Sequence, residues 1–372
     1  MANINGYQTI GELKSANSGY AKWGFAKKNG MEFFIKEFLS PIYPLDATVL
    51  SKEQILHKRQ ICNNFEAEKR VFYNELNKCA TGNIVTVIDF FRFGSRYYTV
   101  TEKVDAAKID PMEIFRLGLD QKILIMKIIL HCVNTLHENH IVHGDIKPDN
   151  ILFKVTKKGK YTAKIIDFDS SFLESSPPKN EDEFQGDLVY LAPESFLFIA
   201  EEEGGVLSTK IDVFALGVLF HQYMSGQLPG YDTSKYDYAF EAVLDGSTLS
   251  INSMIPENIG NIIAKMLDRD PEVRPTVGEA FSMLSGGAIP ALAKKEAPKP
   301  AAADTAKTFT TGGGVKFSSS LIKTTMRTKA EPTASAGGAP APLDSSAAPG
   351  VHDAPTSPRS AGSFFKKADD LM

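Results

Sequence analysis

The sequence predicts an α+β, two-lobed architecture: a β-rich N-lobe over about residues 6–104, a helical C-lobe over about 105–285, and a disordered tail over 286–372. Three observations lead there. Residues 6–38 alternate and break at turn residues, Asn17-Ser18-Gly19 and Asn29-Gly30, as consecutive antiparallel strands do. Beyond Asp105 the long apolar segments are mostly helical in pattern, as in QKILIMKIILHCVNTLHENH and KIDVFALGVLFHQYMSG. After FSMLSGG, near residue 285, the chain becomes Ala, Pro, Ser, Thr, Gly and Lys, with too few large apolar residues to offset the entropy of ordering.

The elements follow in order. Residues 51–78 are charged, with Phe65, Val71, Phe72 and Leu76 at helical spacing. Strand-like runs return at IVTVIDFFRF and RYYTVTEKV, and a further helical pattern closes the folded part at ENIGNIIAKMLDRD. Hydrophobic residues make up 43% of 372, enough for a core. Cys62, Cys79 and Cys132 form neither a disulfide framework nor a zinc pattern, which suits a reducing compartment. The N-terminus does not read as a secretory signal, and no stretch reaches the ~20 apolar residues of a membrane span. These features predict a cytoplasmic protein. The net charge of −4 divides into −8 before Gly286 and +4 from it onward, which argues against nucleic acid as partner of the folded part.

The residues that carry chemistry lie at His143-Gly-Asp-Ile-Lys-Pro-Asp-Asn150 and, downstream, at Ile165-Ile166-Asp167-Phe168-Asp169. Phosphoryl transfer needs a carboxylate to orient the attacking hydroxyl, oxygen ligands for a metal, and cations to offset phosphate charge. Asp145, Lys147, Asn150 and Asp167 supply all three. HGDIKPDNILF resembles the catalytic loop of eukaryotic-type serine/threonine protein kinases, and IIDFD resembles their metal-binding motif. The resemblance makes Asp145 the catalytic base, Lys147 a γ-phosphate contact, and Asn150 and Asp167 the magnesium ligands. Three later motifs keep the family's order: Ala192-Pro193-Glu194, Lys210-Ile-Asp212-Val-Phe-Ala-Leu-Gly217, and Asp270-Pro-Glu-Val-Arg274. By resemblance Asp212 braces the catalytic-loop backbone and Arg274 pairs with Glu194.

The N-lobe match is weaker. Phe33-Phe34-Ile35-Lys36 resembles the strand bearing the ATP-anchoring lysine. Counting back fifteen residues from Lys36 puts Ala21 where the family has Val, and Gly19 becomes the third glycine of the phosphate-covering loop. The first two glycine positions hold Lys14 and Ala16. Phe34 stands where a small Ala commonly meets adenine, unless it turns toward the lobe core. Lys36 needs a glutamate from the next helix, either Glu66 or Glu68. Glu68 is preferred because Val71 and Phe72 follow it at three and four places. Thr101 is the expected gatekeeper, Glu102, Lys103 and Val104 the hinge, and Leu152 the floor beneath the base. The long segment before the helix is either an ordered insert or a loop with an extra turn.

Two departures concern regulation. Gly144 stands where many kinases have the arginine that reads an activation-loop phosphate, so the loop is expected to work unphosphorylated. Asp169 replaces the glycine of the metal-binding motif, and Asp187 stands where threonine is usual. His137, His140 and His143 are read as packing residues. The resemblance implies ATP and Mg2+ as cofactors and proteins as substrates, the chain's own tail among them. A catalytically silent scaffold and a small-molecule kinase are the competing readings. The full set Lys36, Glu68, Asp145, Lys147, Asn150 and Asp167 favours the enzyme.

Overall fold

The computed structural model describes residues 2–15, 21–45, 50–106, 108–155, 161–184 and 186–286. The tail beyond Gly286, the turn at Asn17-Ser18-Gly19, and the glycine-loop positions Ala16 and Gly19 lie outside the described residues.

Six antiparallel strands make the N-terminal sheet, in the order β1-β2-β3-β4-β6-β5. They are β1 (Asn3–Ile4), β2 (Tyr7–Ser15), β3 (Ala21–Lys28), β4 (Met31–Phe38), β5 (Val87–Phe93) and β6 (Arg96–Glu102). The β3–β4 turn holds Asn29 at φ 53° and Gly30 at φ 78°, the two left-handed residues of a two-residue hairpin. So tight a turn fixes the register. Trp23 therefore faces Lys36, Phe25 faces Phe34, and Ala21 faces Phe38. Trp23, thirteen residues before Lys36, thus lies across from the lysine, and Ala21 sits two positions further along the same strand pair. One face of the sheet packs Ile4, Tyr7, Ala26, Ile35, Phe91, Tyr98 and Val100 into a small core. Side chains alternate along a strand, so Phe34 shares the opposite face with Lys36 and does not enter that core.

Helix α1 (Lys52–Lys78) runs 27 residues and absorbs much of the long segment before it. It starts at a capping box, in which Gln54 N–H donates to Ser51 Oγ and Ser51 N–H donates to Gln54 Oε1. Its buried residues are Cys62, Phe72, Tyr73 and Leu76. Phe65 joins them by packing edge-on against Phe38 and tilted against Tyr97.

The C-terminal lobe is built on helices. After α2 (Pro111–Phe115) comes α3 (Leu119–Glu138), which buries Ile125, Met126, Ile129, Leu130, Val133 and Leu136. Each such aliphatic side chain contributes about 1.5–3 kcal/mol when fully buried. Next is β7 (Ile141–Val142), which pairs with β10 (Phe172–Leu173), while β8 (Ile151–Val155) pairs with β9 (Tyr161–Ile165). Then follow α4 (Pro193–Ile199), α5 (Lys210–Ser225), α6 (Ala239–Leu244), α7 (Glu257–Met266) and α8 (Val277–Leu284). Helix α5 is buried nearly all round, from Ile211 to Ser225. A helix apolar on every side belongs at the centre of a lobe. Among the described residues, no helix is long and apolar enough to cross a membrane.

Candidate active site

The two short two-stranded sheets of the C-terminal lobe flank the loop 143–150 between β7 and β8, and β9 leads directly to Asp167. The loop's shape is set from below. Asp212 at the start of α5 is 1% exposed, and its carboxylate accepts from His143 N–H at 2.8 Å and from Gly144 N–H at 2.9 Å. His137 Nε2 lies 2.9 Å from the same carboxylate. The bracing expected of Asp212 is present; His143 is buried beside it and His137 is half-buried. His143, fully buried, takes Asp145 N–H on Nδ1 at 3.3 Å and directs Nε2 to the Ile166 carbonyl at 3.3 Å. One imidazole thus ties the catalytic-type loop to the segment just after β9 that carries Asp167.

Asp145 is held from three sides. Its Oδ2 accepts from Asn150 Nδ2 at 2.9 Å and lies 2.8 Å from Lys147 Nζ, and its Oδ1 accepts from Asp187 N–H at 3.2 Å. Burial raises the pKa of this carboxyl above the ordinary aspartate value, opposed by Lys147, His143 and Asn150. Asn150, 5% exposed, also donates to the Asp145 carbonyl at 2.8 Å. Both bonds use its amide nitrogen, and among the described residues Oδ1 takes no hydrogen bond and remains an acceptor. Asp187 lies 3.7 Å from Lys147 through its side chain.

Across the cleft, Lys36 Nζ stands 2.8 Å from Asp167 Oδ1 and 2.8 Å from Asp169 Oδ2. Asp167 has φ 66°, a left-handed backbone that an unbranched polar residue tolerates. The Lys36 amine holds the Asp167 pKa down against burial, and the two carboxylates raise that of Lys36. One carboxylate and one amide oxygen fit Mg2+, which keeps few protein ligands and takes the rest from water and substrate phosphates. Among the described residues no group of three or more His, Cys, Asp or Glu forms a metal cage of the zinc kind.

The expected partnership of Lys36 with Glu68 is not formed. Glu68 is 67% exposed on its side chain and lies 3.7 Å from Lys179. The inner stripe of α1 explains this. Cys62, Phe65, Phe72, Tyr73 and Leu76 centre it on Lys69, and Glu68 sits about 100° round the helix from that centre. Val71, which anchored the expectation, is 55% exposed on the outer side. Glu66 is no substitute, since its carboxylate is bound by Arg70 at 2.8 Å.

The remaining predicted positions fall along the cleft. Lys14 sits on β2 opposite Trp23, its side chain exposed. Phe34 stacks on Trp23 at 5.8 Å and meets Phe25 edge-on at 6.0 Å, so three rings form a roof on the face of the sheet that carries Lys36. Thr101 faces Phe34 across β4 and β6. Glu102 bonds Lys164 of β9, the residue opposite Leu152 on β8, and Lys103 bonds Glu32 at 2.6 Å. Val104 is half-buried just beyond. Sequence reasoning did not single out Trp23 or Lys69, and it gave Asp169 no partner. The hairpin turn and the Phe65–Tyr73–Leu76 spacing were the signals that could have found the first two.

The activation-type segment 167–194 is anchored at both ends. Ser171 Oγ donates to the His143 carbonyl at 2.7 Å. At the other end Arg274, 1% exposed, bonds both oxygens of Glu194 at 2.6 and 2.9 Å, as expected from their motifs.

A sequence profile of the protein kinase domain matches residues 49–284, more than half of the chain. The serine/threonine-protein kinase PrkC of Bacillus subtilis is 30% identical over 195 residues, 51% of this chain and 28% of that protein. The serine/threonine-protein kinase ppk6 of Schizosaccharomyces pombe is 28% identical over 285 residues, 75% of this chain and 33% of the relative. Calcium-dependent protein kinase 4 of Plasmodium falciparum is 26% identical over 233 residues, 61% of this chain and 43% of its own. The chain spans less than half the length of these curated relatives. With a six-stranded antiparallel lobe set beside a helical one, a braced catalytic-type loop and this match, the chain belongs to the eukaryotic-type serine/threonine protein kinase family.

Proposed function

We propose that this chain transfers the γ-phosphoryl group of ATP to serine or threonine hydroxyls of protein substrates, with Mg2+. The observation that supports this best is the Asp145 carboxylate, fixed by Asn150, Lys147 and the Asp187 amide, on the side of the cleft opposite Lys36 and Asp167. Asp145 orients the substrate hydroxyl and accepts its proton as the oxygen–phosphorus bond forms and the bond to ADP breaks. Its burial-raised pKa makes it a better proton acceptor than a solvated aspartate. Lys147 neutralises charge on the transferring group, and Lys36 positions the nucleotide phosphates. Asn150 Oδ1 and Asp167 would hold the metal, which supplies charge neutralisation at the phosphates when bound. The aromatic roof of Trp23, Phe25 and Phe34, the hinge from Thr101 to Val104, and Leu152 would enclose the base.

The domain assigned to this activity is residues 6–285, and the serines and threonines of the tail are offered as substrates in cis. A cytoplasmic location rests on the sparse, unpatterned cysteines, and the acidic folded part gives no basis for a nucleic-acid partner. The test is Asp145→Asn, assayed with radiolabelled ATP, Mg2+ and a generic protein substrate. Turnover is expected to vanish while nucleotide affinity stays within about threefold, because a transition-state role rather than a binding one is removed. Substantial residual turnover would overturn the assignment. Mass spectrometry after incubation with ATP would map phosphates on the tail.

A further inference from the structure

The family motif at Asp167 ends two residues later in glycine, and here that position carries a carboxylate directed at the nucleotide-anchoring lysine. Asp169 Oδ2 lies 2.8 Å from Lys36 Nζ, whose side chain is only 13% exposed. An amine so enclosed needs a carboxylate partner. Asp167 is one, yet Asp167 is also the residue expected to turn to the metal. The helix supplies none. Glu68 is exposed and pairs outward with Lys179, and the centre of the inner stripe of α1 holds a second cation, Lys69. Lys69 is half-buried, and among the carboxylates near it Asp169 is the strongest to oppose its desolvation. Tyr73, one turn along the same stripe, feels the same carboxylate.

We infer that Asp169 is the positioning residue of Lys36, taking the place of the helix glutamate. The loop, instead of the helix, brings the carboxylate. When a divalent cation engages Asp167, Asp169 keeps Lys36 directed at the phosphates. Asp169 touches neither the hydroxyl nor the transferred group and acts only through the lysine. This inference rests on the kinase reading above.

The experiment measures the affinity of a fluorescent trinitrophenyl-ATP with Mg2+, and kcat and KM for ATP, on the wild type, Asp169→Asn, Asp169→Gly and Glu68→Gln. Lys36→Met and the double variant Lys36→Met/Asp169→Asn complete the set. Asp169→Asn is expected to weaken the nucleotide about tenfold or more, the size of one charged hydrogen bond, and to act more on KM than on kcat. Glu68→Gln is expected to cost less. In the Lys36→Met background, Asp169→Asn should add less than about twofold, because the lysine through which it acts is gone. Trace acylation with acetic anhydride, read by peptide mass spectrometry without nucleotide, should show Lys36 more reactive in Asp169→Asn. If Asn disrupts folding, Asp169→Gly, the family's own residue, carries the same test.

A larger loss from Glu68→Gln than from Asp169→Asn would overturn the inference. So would an Asp169→Asn loss undiminished in Lys36→Met, which would make Asp169 a metal ligand instead. If the wild type binds no nucleotide, the kinase reading fails, and Lys36 labelling still decides whether Asp169 holds the lysine.

Discussion

Gly144, just before Asp145, offers a prediction whose size follows from the backbone. Its φ is 78°, in the left-handed region, and a Cβ placed there would lie 2.6 Å from the Ser170 carbonyl oxygen. Gly144→Ala therefore carries two costs. A left-handed L-residue costs about 1–2 kcal/mol. Forcing a methyl against backbone that cannot swing aside adds about 1–3 kcal/mol, the range for overpacked sites. Gly94, in the β5–β6 turn, separates these contributions: its φ is 62°, with nothing within 4 Å of its added Cβ. Gly94→Ala should show only the first. Urea unfolding of both variants and the wild type is expected to place Gly144→Ala about 1–3 kcal/mol below Gly94→Ala. Because Ser170 adjoins Asp169, the displaced backbone also carries the Lys36 partner and shifts Asp145. A misplacement of about 1 Å there is worth roughly a hundredfold in turnover. If Gly144→Ala is no less stable than Gly94→Ala and turns over like wild type, the close packing of the two segments has no consequence and the reasoning fails.

Arg274→Met strands the buried Glu194 carboxylate and should destabilise the chain by about 3–5 kcal/mol, with part recovered by adding Glu194→Gln; additive losses in thermal melts would contradict this. Activity needs Asp145 ionised, and burial raises its pKa, so the acid limb of kcat should lie above the ordinary aspartate range. Lys147→Met removes an opposing cation, and the limb should move to still higher pH; a move to lower pH would disprove the pairing. His221 accepts Asn252 N–H on Nε2 at 3.0 Å and directs Nδ1 to the Gln227 carbonyl at 2.8 Å, and burial lowers its pKa. The unfolded chain binds the proton more readily, so stability should fall as pH drops through the ordinary histidine range. That slope, measured by urea unfolding, should flatten in His221→Asn. At φ 78°, with the Ser170 carbonyl oxygen 2.6 Å from an added Cβ and Phe184 at 3.5 Å, the Gly144 position does not accommodate a phosphate-reading arginine. Phosphatase-treated protein should then show initial rates near those of untreated protein, and a lag abolished by preincubation with ATP would refute it.

The catalytic loop was legible in the sequence because its residues lie within one short segment, where spacing along the chain is spacing in space. Asp145, Lys147 and Asn150 needed no tertiary knowledge to be grouped. The Arg274–Glu194 pair and the bracing by Asp212 were also readable, although each joins distant segments, because each partner sits in a motif with its own fixed pattern. The aromatic roof was half legible: Phe34 follows from Lys36 by strand alternation, but Trp23 required the turn type, and a two-residue hairpin moves every cross-strand neighbour. Helix α1 was located correctly, yet which side of it faces the cleft depended on packing. Val71 and Tyr73 are both large and apolar, and only contact with Phe90 at 5.3 Å selects Tyr73 as the inward residue. That choice turns Glu68 to solvent and Lys69 inward. The sequence by itself thus determined the family, the two lobes and the grouping of Asp145, Lys147 and Asn150, all written in local order. Only the tertiary structure decided which carboxylate meets Lys36, since that depends on a helix rotation fixed by side chains packed from another part of the chain.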